Sequence, residues 1–321
     1  MEKGLTGKKR VVAIGGGTGL SCILRGLKSN EMIELTAIVT VADDGGSSGI
    51  LREEMRMPPP GDIRDVLVAL ADREPLLMQI FQHRFKNGNH LAGHSLGNLI
   101  IAAMQEITGD FVTAVKALSR VFAIRGRVLP AANQSIRLAA EMSDGTRVVG
   151  ESNIPKARKK IVRLSLIPED VEALPEAVSA IEEADMVIIG PGSLYTSILP
   201  NLLVPGIREG LLKSKAIMVY ICNVMTQPGE TDGYTVYDHV RAIYDHVGRP
   251  IFDKVLVNTG QVPSPYLEQY AQEGAYPVRY EPGSLDSFNC EVIEEPLLMI
   301  NDYLRHDAHK VARIVMGFLQ G

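Results

Sequence analysis

Three runs of residues in this sequence could meet a phosphate. Gly15-Gly16-Gly17-Thr18-Gly19 follows the apolar run Arg10–Ile14 and opens a helical pattern. Glycines there let the backbone turn sharply and approach a phosphate, while the free N–H groups of a helix start carry partial positive charge. The spacing is not a strict G-x-G-x-x-G, because Leu20 stands where the third glycine would be, and no lysine follows as in a P-loop. A nucleotide phosphate is the expectation, with a tight turn that binds nothing as the alternative. A second run, PGSLYTS at 191–197, follows DMVIIG. Gly192 frees the backbone there, and Ser193, Tyr195, Thr196 and Ser197 supply hydroxyls. Asn223 and Thr226, again just after an apolar run, form a third candidate.

Carboxylates stand beside these runs. Asp43 and Asp44 end the apolar run before GGSSG. An acid at the end of a second strand can accept hydrogen bonds from ribose hydroxyls, and a pair can hold Mg²⁺ against a diphosphate. Asp62 in PPPGDIRD joins them as a third candidate Mg²⁺ ligand, or as a helix N-cap. His239 and His246 are seven apart, not the i, i+4 of a metal pair, and read as surface histidines. Gly93-His-Ser95-Leu-Gly97 matches the pattern of a nucleophile elbow, but no apolar strand precedes it.

The elements that must position these residues follow from periodicity. Arg10–Ile14 and Glu34–Val41 read as buried parallel strands, with a helix between them whose apolar face is Leu20, Ile23, Leu24 and Leu27. Pro58-Pro59-Pro60-Gly61 breaks the pattern. Four helical stretches follow, capped at Ser95 and Asp110 in the third and fourth. Residues 136–142 and 146–152 flank Ser143-Asp144-Gly145 as a hairpin, and 161–167 is a further strand. The βα alternation then resumes with strands near 185–190, 216–223 and 254–258, and the chain closes on a helix from His306. The expected fold is α/β: a Rossmann-like, three-layer parallel sheet in one domain, residues 1–321, with a helical lobe over 62–125.

Composition narrows the function classes. With 321 residues, 45% of them hydrophobic, the chain can bury one large α/β core. The net charge of −5 leaves no basic stripe for nucleic acid. Lys156, Arg158, Lys159 and Lys160 read as a solvated surface patch. The three cysteines, Cys22, Cys222 and Cys290, have no metal spacing and fit free thiols in a reducing compartment. The N-terminal residues lack the apolar core of a secretion signal, and no run reaches the ~18 apolar residues of a membrane span. A cytoplasmic protein is expected.

Five motifs in order, VVAIGGGTGL, TVADDGGSSGILR, PPPGDIRDVL, GHSLGNLI and GPGSLYTSILPNLLVPGI, make the sequence resemble the YvcK family of bacteria, also called GlmR or gluconeogenesis factor, in the CofD-like superfamily. The resemblance runs from about Val11 to the final helix. It implies a CofD-like fold and a UDP-N-acetylglucosamine ligand. It also implies a role in cell shape and cell-wall precursor supply under gluconeogenic growth, with glucosamine phosphate synthase as a partner and a homo-oligomeric state. It adds Gly46 and Ser47 of the Asp-Asp-Gly-Gly loop and Asn98 of GHSLGNLI to the site, and it matches Arg305 to an arginine implicated in binding the UDP-sugar. CofD itself moves a phospholactyl group from a guanosine diphosphate donor to a deazaflavin with Mg²⁺, so a transferase is the second reading. The absence of Trp and the 5% aromatic content leave that flat acceptor without an evident stacking wall. An NAD-binding oxidoreductase is the third reading, and no proton-donor set for hydride chemistry accompanies it.

Overall fold

The computed structural model describes residues 7–72, 74–300 and 303–320. The first half runs β1 (Lys9–Gly15), α1 (Gly17–Leu27), β2 (Ile33–Val39), α2 (Gly46–Glu54), α3 (Gly61–Leu70), α4 (Glu74–Gln82), α5 (Leu96–Thr108), α6 (Phe111–Val121) and β3 (Arg127–Pro130). A small antiparallel sheet follows, made of β4 (Arg137–Met142), β5 (Arg147–Val149) and β6 (Ile161–Ile167), with β4 in the middle. The second half continues α7 (Pro175–Glu182), β7 (Met186–Ile189), a π turn at Leu194–Ile198, α8 (Leu199–Leu202), α9 (Pro205–Lys213), β8 (Ile217–Ile221), α10 (Val236–Val247), β9 (Lys254–Asn258), α11 (Ser264–Glu273) and β10 (Glu291–Glu295). A hairpin of β11 (Leu298–Ile300) and β12 (Leu304–His306) and the helix α12 (Ala308–Gly317) close the chain.

Both halves share one sheet. Its seven strands are ordered β10-β9-β8-β7-β1-β2-β3, and every pairing in it is parallel. Val11–Ile14 lies against Met186–Ile189, so the seam between the halves is β1 beside β7. The central strands are β-branched and buried on both faces, as a helix-covered parallel sheet requires. Helix α1 lays Leu20, Ile23, Leu24 and Leu27 into the core, and α3 and α12 pack on it. The caps read from sequence are present: Ser95 accepts from the Asn98 amide and Asp110 from the Thr113 amide.

Four elements depart from the sequence reading. GSSGILREE is the helix α2 rather than a loop wall; its serines and glycines hide the period, yet Ser47, Ser48, Leu51 and Arg52 are its buried side. Strand β3 is only four residues long and ends in Pro130, which an edge strand tolerates because no neighbour needs that N–H. At the opposite edge, β10 carries three glutamates. Arg305 lies in the hairpin strand β12, not at a helix start.

Candidate functional site

Strand order reverses between β1 and β7: the chain leaves β1 toward β2 and β3, and later builds β8, β9 and β10 on the other side. In open parallel sheets, ligands bind in the crevice beyond the carboxyl ends of the strands at such a switch point. The loops leaving these two strands are Gly16–Gly19 and Pro191–Ser193. They pack backbone to backbone: a Cβ on Gly19 would lie 2.5 Å from the Pro191 carbonyl oxygen and 3.0 Å from Gly192 Cα. Helix α1 starts at this seam with no side-chain cap, so its first N–H groups face the crevice unclaimed.

The crevice is a cleft of about 550 Å³. It brings together Gly16, Gly17, Thr18, Gly19, Gly192, Ser193, Ser197, Asn223, Thr226 and Arg305, all singled out from sequence. The amide of Asn223 locks the second loop, accepting from the Gly192 N–H at 3.1 Å and donating to the Gly192 carbonyl at 2.8 Å. Gln227, at the end of the run after Asn223, also lines the cleft, and so do Tyr270, Glu273 and Tyr303, which were missed because α11 and the hairpin carry no motif. Leu304 N–H donates to the Tyr270 hydroxyl, which ties the Arg305 hairpin to α11. A larger cavity of about 760 Å³ opens at the amino ends of β1 and β2, away from the switch-point loops.

Beside the first glycine loop lies an acidic group. Asp62 Oδ2 occupies the space that a Gly16 side chain would need, and Asp43 Oδ2 stands 2.5 Å from the position of a Cβ on Gly61. Burial, then the charges of Asp43, Asp65 and Glu151, raise the Asp62 carboxyl well above the usual range. Burial, with Asp43, Asp44 and Glu230 nearby, pushes Glu151 up to about 8. Asp62 is in the first turn of α3 but caps nothing. Asp44 is committed elsewhere: its two oxygens accept from the backbone N–H of Glu151 and Ser152 at 2.9 and 2.8 Å.

Of the three carboxylates expected from sequence as Mg²⁺ ligands, Asp44 already has both oxygens engaged by backbone amides. Among the described residues no three His, Cys, Asp or Glu side chains converge as a metal group. Asp43, Asp44 and Asp62 do not form a protein cage, because Asp44 clamps the turn at 150–153.

The remaining sequence candidates lie outside the cleft. Gly15 is buried at the end of β1, its carbonyl accepting from Thr40 N and Asn201 Nδ2. Tyr195 is a core residue with 2% exposure, its hydroxyl paired with that of Tyr234 at 2.8 Å. Gly46 is exposed at the start of α2. Ser47 is buried and pairs with His94 Nδ1 at 3.0 Å. Asn98 donates to Ser48 Oγ and accepts from Arg64, joining α5 to α2 and α3. These side chains hold the wall in place rather than face the cleft. The two histidines expected at the surface are buried: His239 is fully enclosed, and His246 Nε2 accepts from Leu164 N–H at 2.9 Å. The cysteines are free, with Cys22 and Cys222 buried.

Comparison with known proteins agrees with this geometry. The family described as 2-phospho-L-lactate transferase CofD matches residues 11–298. The gluconeogenesis factor of Bacillus subtilis (strain 168) is 55% identical over 314 residues, covering 98% of this chain and 99% of that protein. The gluconeogenesis factor of Listeria monocytogenes is 48% identical over 315 residues, covering 97% and 96%. The crystal structure of a UPF0052 family member from Bacillus halodurans superposes with a TM-score of 0.93 at 55% identity, covering 96% of this chain and all of that one. With its two glycine loops at the seam of a seven-stranded parallel sheet, the chain belongs to the CofD family, among the gluconeogenesis factors.

Proposed function

We propose that the switch-point cleft binds UDP-N-acetylglucosamine and that the protein acts as a nucleotide-sugar sensor for cell-wall precursor supply, supporting cell shape under gluconeogenic growth. One observation carries this reading: the two glycine loops, Asn223, Thr226 and Arg305 line one cleft at the sheet's switch point. Its volume lies within the range of small-ligand sites. The diphosphate would sit over Gly16–Gly19 at the start of α1, where free N–H groups and the helix dipole favour an anion. Arg305 would add a forked donor to a phosphate or a uracil oxygen. Glucosamine phosphate synthase is the partner we propose, in the cytoplasm, with the sensor as a homo-oligomer. Among the described residues no helix is long and apolar enough to cross a membrane.

The second reading is a CofD-like transferase. The carboxylates of Asp43 and Asp62, close to the first glycine loop, favour it. Tyr270 and Tyr303 in the cleft supply the flat apolar surfaces that composition alone did not reveal. Calorimetric titration distinguishes the nucleotides. UDP-N-acetylglucosamine should bind more tightly than GDP or NAD, and Arg305→Ala should weaken it by about tenfold, the low end for a charge-assisted hydrogen bond, since this guanidinium is exposed in the free protein. Tighter binding of GDP would favour the transferase, and of NAD a dinucleotide site. Binding that Arg305→Ala leaves unchanged would remove the hairpin from the site.

A further inference from the structure

The basic run that the sequence presents as a surface patch lines a cavity. Arg158, Lys159 and Lys160 form one wall of a space of about 550 Å³, with Glu230, Asp232 and Asp238 on the other. It shares no lining residue with the switch-point cleft. Its two loops are fixed to each other: Gly229, at φ +81, packs directly on the Pro155 carbonyl, where no side chain would fit.

The charges in this cavity are unequally committed. Lys159 Nζ donates to Asp144 at 2.5 Å and to Thr146 Oγ1 at 3.3 Å. Arg158 and Lys160 are exposed, and neither side chain has a hydrogen bond or ion pair among the described residues. Arg158 is also held in the left-handed region, at φ 47 and ψ 41, a conformation unfavourable for a non-glycine residue. On the facing wall, Asp232 Oδ2 accepts from Gly229 N–H at 2.7 Å, and Asp238 Oδ2 accepts from the amide and hydroxyl of Thr235. The other oxygen of each carboxylate has no partner among the described residues.

Two uncommitted cations opposite two open carboxylate oxygens select a ligand with matching ends. A bare phosphate would satisfy the cations but meet repulsion from the acids. A neutral sugar would satisfy the acids through its hydroxyls and leave the cations unpaired. We propose that this cavity is a second ligand site, for a small sugar phosphate: the phosphate on Arg158 and Lys160, the hydroxyl groups on Asp232 and Asp238. A guanidinium recognises phosphate with paired, charge-assisted donors, and carboxylate oxygens are acceptors only.

The test is calorimetric titration of the full chain with glucose 6-phosphate, with inorganic phosphate and glucose as comparators. Glucose 6-phosphate should bind, and the double variant Arg158→Asn, Lys160→Gln should weaken it by about tenfold or more. Asparagine is chosen at 158 because it tolerates the left-handed backbone, so thermal unfolding should match the parent. No binding of glucose 6-phosphate up to millimolar concentration, or equal binding in parent and double variant, overturns the site. Inorganic phosphate binding as tightly as glucose 6-phosphate overturns the sugar-hydroxyl assignment. The variant Arg305→Ala should bind glucose 6-phosphate as the parent does; a loss there assigns the phosphate to the switch-point cleft and overturns the proposal. Failure of UDP-N-acetylglucosamine to bind leaves this titration fully readable, because the two sites share no residue.

Discussion

Glu230 lines the second cavity and is hydrogen-bonded to Gln227, which lines the cleft. It is 3% exposed and accepts from Thr196 Oγ1 at 2.9 Å, from the Tyr195 amide at 3.2 Å and from Gln227 Nε2 at 2.8 Å. It thereby holds the loop that carries Ser193 and Ser197 into the cleft. Burial outweighs these hydrogen bonds and raises its carboxyl to about 7. The folded chain therefore keeps this proton from the ordinary carboxylate range up to about 7, where the unfolded chain has released it. The stabilisation linked to that proton is lost as pH rises through 7. Between pH 6 and pH 8 the parent should lose about 1.4 kcal/mol from this group, one pKa unit's worth, and Glu230→Gln should lack that loss. Urea unfolding of both proteins at the two pH values measures the difference; equal losses would mean that Glu230 does not hold the proton. Such a residue is illegible in a single sequence, because GETDGY looks like any polar loop and its burial comes from contacts with Tyr195 and Thr196, over thirty positions away. Ser95 and Asp110 were legible for the opposite reason: a cap acts on an amide three residues on.

At the scale of elements, the site depends on two loops touching without side chains between them. A methyl on Gly19 must push against the Pro191 carbonyl and Gly192 Cα, both backbone atoms that cannot rotate aside. Gly19→Ala should therefore open the seam, weakening UDP-N-acetylglucosamine by about tenfold and costing about 1–3 kcal/mol as an overpacked contact, against less than about 1 kcal/mol gained in helix propensity. Calorimetry and denaturant unfolding report both; unchanged affinity with unchanged stability would show that the loops part freely. Gly16 is a poorer test, because its missing side chain faces Asp62 and Thr40, so substitution there moves a carboxylate as well as closing space to a phosphate. The strand–loop–helix units were legible because buried β-branched runs end in glycine and give way to a 3.6-residue period. The α2 helix, the short edge strand β3 and the Arg305 hairpin were not, since each takes its shape from what it packs against rather than from its own pattern. Arg305 itself came only from the family resemblance, and Tyr270 and Tyr303 from neither source.

At the scale of the whole molecule, the seam between β1 and β7 makes the cleft a joint product of residues almost two hundred positions apart, so filling it should stabilise the entire sheet. A ligand present at a hundred times its dissociation constant adds about 2.7 kcal/mol to folding, but that gain is the same whether the ligand leaves intact or altered. The acidic group beside the cleft separates the two. Asp44 is a poor probe, since its oxygens hold the amides of Glu151 and Ser152, and its loss would loosen the turn on structural grounds alone. Asp43 is the better one. One of its oxygens accepts from Gly45 N–H at 2.9 Å, and the other lies beside Gly61 on the side of Asp62. Asparagine at 43 keeps an acceptor for Gly45 while removing the charge. A sensor needs only differential affinity between its states, so prolonged incubation with UDP-N-acetylglucosamine and Mg²⁺ should return the nucleotide unchanged by phosphorus NMR in the parent and in Asp43→Asn alike. Steady, protein-dependent release of UDP or UMP that Asp43→Asn abolishes, with the variant still folded and still binding the nucleotide, would make the carboxylate part of a group transfer and replace the sensor with the transferase.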